Sequence, residues 1–118
     1  MPKGHPAVAY ALQMFDRLPS AAPSIAEIAV MANLSTERFI RVFKEEVGLT
    51  PKSYRNIVRF QLALRRLRQE GVNPSIDMAL SSGYYDQSHW YREFRKYANM
   101  TPTELLSKQD ILENHVPL

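Results

Sequence analysis

Cysteine is absent from the 118 residues, which excludes disulfides and thiolate metal sites and fits a reducing compartment. Glycine is scarce, with four in the chain, and no Gly-rich loop of the kind that cradles phosphates can be assembled from them. The three histidines, His5, His89 and His115, have no ligand spacing, and no Ser, His and Asp set falls on convergent loops. Neither catalysis nor a bound metal or cofactor is expected. No apolar run approaches eighteen residues and no charged-then-apolar leader opens the chain, so neither a membrane span nor a secretion signal is expected.

What is present is an ordinary globular composition, 45% hydrophobic and 23% charged, sufficient for one core or two small ones. A formal charge of +3 and a sequence pI of about 9.3 lean toward an acidic partner. The distribution says more than the sum. Arg38, Arg41, Lys44, Lys52, Arg55, Arg59, Arg65, Arg66 and Arg68 crowd the middle against Glu45 and Glu46 alone, while the tail after Leu105 is close to neutral or acidic. A basic face in solvent would give the same pattern, so charge by itself does not decide.

The organising feature is a duplication. The stretch Ser35 to Pro51 recurs fifty-one positions later as Asp86 to Pro102, and an internal repeat defines the structural unit. Phe39 answers to Trp90, Phe43 to Phe94, Arg41 to Arg92, Lys44 to Arg95, Gly48 to Asn99, and Thr50-Pro51 to Thr101-Pro102. Each copy predicts a short helix with an N-cap, Ser35 or Asp86, whose side-chain oxygen accepts from a first-turn amide. Gly48 and Asn99 tolerate the left-handed conformation that closes it. At 100° per residue Phe39, Val42 and Phe43 share one side, as do Trp90 and Phe94, and that side faces a core. The opposite sides carry Glu37, Arg41 and Lys44, and Ser88, Arg92 and Arg95, with Ile40 and Tyr91 on the flanks.

Taken in order, Met1 to His5 reads as an unstructured start. Pro6 suits a first helical position, and Ala7, Val8, Ala11, Leu12, Phe15 and Leu18 repeat at helical spacing. Ser24-Ile-Ala-Glu27 has the form of a capping box opening a second helix to about Ala32. The tight Asn33-Leu34-Ser35 connection then makes a helix-turn-helix. Thr50 and Pro51 start a long helix stopped by Gly71, and Asn73-Pro74 caps a fifth through Ile76, Met78, Ala79 and Leu80. Gly83-Tyr84-Tyr85 leads into the second copy through a turn one residue longer than the first. Thr101-Pro-Thr-Glu104 is again a capping box, opening a last helix with Leu105 and Leu106 inward. The expectation is an all-α chain of about seven helices: a first helix-turn-helix subdomain over 6–50, a linker helix over 51–71, a second subdomain over 72–108, and a tail over 109–118.

This arrangement resembles the DNA-binding domain of the AraC/XylS family of bacterial transcription regulators. The resemblance rests on Ile28-Ala29, Leu34-Ser35, Phe39, Arg41, Phe43-Lys44, Gly48, Thr50-Pro51, Tyr54, Arg59 and Ala63. It continues in Met78-Ala79, Gly83-Tyr84, Asp86, Ser88, Trp90, Arg92, Phe94-Arg95 and Thr101-Pro102. It covers about residues 7–108. Departures are Asn33 and Asn99 where the family has Gly, Trp90 for a smaller apolar residue, and Glu104-Leu105-Leu106 where a Tyr-Arg pair is frequent. The resemblance implies two recognition helices, the third and the sixth, reading successive major grooves of a promoter. It also implies RNA polymerase as a partner and a cytoplasmic, nucleoid-associated setting. Members usually carry a separate effector or dimerisation domain, so the chain reads either as a stand-alone member or as the C-terminal part of a longer regulator.

On that basis Arg41 and Arg92 are expected to bond two guanine acceptors. Thr36, Glu37, Gln87 and Ser88 lie near the groove floor, with Glu37 suited to a cytosine amine and Gln87 to adenine, while Ile40 and Tyr91 suit thymine methyl groups. Lys44 and Arg95 are expected on phosphates. Pairing of Arg41 with Glu37 or Glu45 along the helix would compete. Arg59 is either an orienting group or a backbone contact. The alternative function is a helical protein-interaction or adaptor module using the basic face. RNA binding is disfavoured because most aromatics are expected in the core.

Overall fold

The computed structural model describes residues 4–70 and 76–107. Among the described residues all regular structure is helical: α1 (Pro6–Arg17), α2 (Ile25–Met31), α3 (Thr36–Val47), α4 (Pro51–Glu70), α5 (Ile76–Ser81), α6 (Gln87–Ala98) and a short α7 over residues 102–107. No helix among them is long and apolar enough to cross a membrane. The Gly71 stop, the Asn73-Pro74 cap and the tail from Gln109 lie outside the described residues. The chain divides into two compact units, Met1–Arg59 and Phe60–Leu118.

In the first unit α1 buries Ala7, Val8, Ala11 and Phe15 against Ile28 and Ala29 of α2 and Phe39 and Phe43 of α3, with Tyr54 of α4 packed on the same core. Phe43 is the hub. Its ring lies 6.2 Å from Phe15, 5.9 Å from Phe39 and 5.9 Å from Tyr54, edge to face in each case, an arrangement that adds to the area each ring buries. Two expectations are corrected here. Leu18 is exposed, because α1 ends at Arg17 and Leu18 is its C-cap, turned out of helical geometry at φ −126°. His5 is structured: its Nδ1 accepts from the Ala7 amide at 3.0 Å, and its own amide donates to Glu46 Oε1 at 2.6 Å. An imidazole thus serves where an Asp or Ser normally caps.

In the second unit Ala63 and Leu67 of α4, Met78 and Ala79 of α5, Tyr84, and Trp90 and Phe94 of α6 form the buried cluster, with Leu105 and Leu106 packed against it half-buried. Phe94 stacks edge-on to Phe60 at 5.2 Å and to Trp90 at 6.2 Å. Arg66 reaches to the end of α5, its guanidinium donating to Ser81 Oγ at 2.9 Å and Ser82 Oγ at 3.4 Å. A cation at that helix end is favoured by the helix dipole, so this member of the mid-chain basic cluster has a structural use.

Candidate nucleic-acid interface

The sequence repeat is repeated bond for bond in the backbone. After α2 the amides of Ala32, Asn33 and Leu34 donate to the carbonyls of Ile28, Val30 and Ala29; after α5 those of Ser82, Gly83 and Tyr84 donate to Met78, Leu80 and Ala79. Both turns pivot on a left-handed residue, Asn33 at φ 60° and Gly83 at φ 93°, which explains why Asn stands where glycine is the usual choice. The following helices start alike, with Ser35 Oγ accepting from Arg38 N at 3.1 Å and Asp86 Oδ1 from His89 N at 2.7 Å. They stop alike on left-handed C-caps, Gly48 at φ 88° and Asn99 at φ 59°. The next helices reuse one cap, Thr50 accepting from Ser53 N and Thr101 from Glu104 N.

These caps fix the rotation of α3 and α6, and the rings fix which face is inward. Phe39, Phe43, Trp90 and Phe94 are fully buried. On the outer face of α3 the side chains of Thr36, Glu37, Arg41 and Lys44 are exposed and Ile40 is half-buried. On α6 Ser88, Arg92 and Arg95 are exposed, while Gln87 and Tyr91 are half-buried. The Tyr91 hydroxyl lies 3.3 Å from Thr103 Oγ1 and its ring packs edge-on to Trp90 at 5.8 Å, so this side chain is held against its own unit. The side chains of Arg41, Lys44, Arg92 and Arg95 make no hydrogen bond or ion pair with any described residue. The competing Arg41 pairs with Glu37 and Glu45 are therefore not formed. Each helix presents uncommitted cations beside short polar side chains at its first turn, a surface able to meet phosphate oxygens and base edges.

Other polar groups are committed. Arg59, half-buried on α4, donates to Asn56 Oδ1 at 2.6 Å. His89 packs its ring edge-on to Tyr84 at 5.2 Å, its Nδ1 accepts from the Tyr85 amide at 3.3 Å, and its Nε2 lies 3.3 Å from Glu93 Oε1. No group of His, Cys, Asp and Glu suited to a metal ion occurs among the described residues. Tyr85, with 86% of its surface exposed, was not among the expected site residues. The extra residue of the second turn is the sequence feature that could have pointed to it.

Comparison with known proteins places the fold among known ones. Residues 28–108 match a family described as helix-turn-helix domain. The HTH-type transcriptional activator RhaS of Klebsiella pneumoniae (strain 342) is 30% identical over 86 residues, which are 73% of this chain and 31% of that protein. The chain spans about a quarter to a third of the length of the curated relatives it matches. Among solved structures, a transcriptional regulator of AraC-type DNA-binding domain-containing proteins from Chromobacterium violaceum is similar with a TM-score of 0.71 at 25% identity, over 87% of this chain and 91% of that one. The DNA-binding domain of AdpA, solved in complex with a target DNA, shares the fold with a TM-score of 0.75 at 20% identity, over 93% of this chain and 98% of that one.

Proposed function

Because this chain belongs to the AraC/XylS family of helix-turn-helix DNA-binding domains, a family of transcription regulators and not of enzymes, we propose that it binds promoter DNA sequence-specifically and regulates transcription. On this reading α3 and α6 enter successive major grooves. The observation that carries it is the pair of equivalent outward faces, each with uncommitted cations on a helix whose rotation is fixed by the same caps and the same buried rings. α4 itself is 20 residues long, about 30 Å at 1.5 Å per residue.

The roles follow from chemistry. Arg41 and Arg92 each bond two acceptors of a guanine, Glu37 accepts from a cytosine amine, and Gln87 pairs with adenine. Thr36 and Ser88 bond near the groove floor, Ile40 and the accessible edge of Tyr91 meet thymine methyl groups, and Lys44 and Arg95 bind phosphates. RNA polymerase is the further partner this reading implies, and the bacterial cytoplasm, at the nucleoid, is where it acts.

The test is selection of bound sequences from a random duplex pool, followed by salt titration on the selected site. The expected result is an enriched bipartite sequence and an affinity that falls steeply with salt, as counterion release requires. Arg41→Ala and Arg92→Ala should each weaken binding to that site by about 1–3 kcal/mol and relax preference at different positions. No enrichment, together with capture by an acidic protein surface and not by duplex, would favour the adaptor reading instead.

A further inference from the structure

The two copies fall out of step at one residue. From α2 and α5 through the left-handed turn residue the offset between copies is fifty, and Tyr84 takes the place of Leu34: it is buried, and its amide bonds Ala79 as that of Leu34 bonds Ala29. From the N-cap onward the offset is fifty-one, so Tyr85 is the inserted residue, set directly before the Asp86 cap of α6. A tyrosine exposed to 86% adds nothing to the core of its unit.

Its backbone is nonetheless held. The Tyr85 amide donates to His89 Nδ1, and His89 Nε2 faces the carboxylate of Glu93, a residue largely buried on α6. The equivalent positions in α3 are Arg38 and Val42, which cannot form this bridge. The second copy therefore has both the extra residue and the two side chains that fix it, where the first has none of them. The result is a residue with a tethered backbone and an exposed phenol beside Gln87 and Ser88.

Resting on the DNA-binding reading above, we propose that Tyr85 is a positioning residue for α6, its hydroxyl donating to a phosphate oxygen at the edge of the groove that α6 enters. Phosphate contacts from neutral side chains set register without reading sequence. A phenol displaces no counterion by charge, so its loss should weaken binding without altering the salt slope. Few rotatable bonds in tyrosine keep the cost of ordering it low.

The experiment compares the full chain with Tyr85→Phe and Tyr85→Ala on the duplex selected with wild type, by affinity across a salt series, thermal melting, and ethylation interference. Both variants should melt as wild type does and bind about tenfold more weakly on every sequence tested, in line with a hydrogen bond to a charged group. Their salt slope should be unchanged, and one ethylation-sensitive phosphate on the α6 side should be lost. Wild-type affinity and interference in both variants would overturn the Tyr85 contact while leaving DNA binding intact. Loss in Tyr85→Ala but not in Tyr85→Phe would overturn the phosphate contact in favour of ring packing. A matching fall in melting temperature would show a merely structural role. Absence of duplex binding by the wild-type chain would overturn the DNA reading itself and this contact with it.

Discussion

Helices α3 and α6 share length, caps and buried ring positions, yet they distribute charge and support differently. In α3, Arg38, Arg41 and Lys44 are balanced by Glu37, Glu45 and Glu46; in α6, Arg92, Arg95 and Lys96 face Glu93 alone, and Glu93 is turned inward toward His89. One helix is close to neutral and the other clearly basic. Their cores differ as well: Phe43 meets three rings, Phe94 two with Trp90 standing where the first copy has Phe39. What the duplication preserved is the geometry that fixes which face points outward; what it let drift is the chemistry on that face. On the proposed DNA-binding reading, two faces that differ in this way would suit two different half-sites better than one sequence repeated.

The largest effect that can break this comparison is in the cores. Phe43→Ala should destabilise the first unit by about 3–5 kcal/mol, read by denaturant unfolding, while amide-exchange protection of α6 persists. Unchanged unfolding would mean that α3 packs by another face. Next come the C-caps. Gly48 has open space where a Cβ would sit, so Gly48→Ala costs only the left-handed backbone, about 1–2 kcal/mol. Gly48→Asn should cost less, because Asn99 already holds that geometry in the second copy; equal costs would deny that the two caps are equivalent.

A smaller effect separates the units by pH. The Tyr54 hydroxyl donates to Asp16 Oδ1 at 2.9 Å, and burial, then that hydrogen bond, then the negative charge of Asp16 raise its pKa above the ordinary 10.0. With the folded value above the unfolded one, this stabilisation is complete below about pH 10 and is lost as pH rises through the folded value. Tyr54→Phe should remove about 0.5 kcal/mol near neutrality, the low end for a solvent-accessible hydrogen bond. It should also flatten the alkaline loss of stability in the first unit, as a melting series from pH 8 to 12 would show. The smallest effect concerns surface charge. Glu45→Lys gives α3 the residue that α6 has as Lys96, and should tighten duplex binding at low ionic strength while leaving it unchanged at high ionic strength; tightening independent of salt would contradict an electrostatic origin.

Much of the fold was legible because the repeat and its punctuation are local. Ser24, Ser35, Asp86, Gly48 and Asn99 each act within a few residues, and aromatic spacing placed Phe39, Phe43, Trp90 and Phe94 in the core. What escaped depends on partners distant in sequence or on helix ends. His5 caps α1 with help from Glu46, forty-one positions away. Leu18 keeps the helical period but sits one residue past the helix. The Tyr85–His89–Glu93 chain is invisible to periodicity, which registers Glu93 only as a polar residue on an inward stripe. Of the candidate interface, the exposed cations were readable from the helical wheel. The hold of Thr103 on Tyr91 was not, since it needs α7 packed alongside α6.

Hydroxyl-radical footprinting of the wild-type chain, Arg41→Ala and Arg92→Ala on the selected duplex bears most directly on the central claim. The account predicts two protected segments about one helical turn apart, with Arg41→Ala losing protection in one and Arg92→Ala in the other. A single protected segment, or one footprint weakened alike by both substitutions, would contradict it.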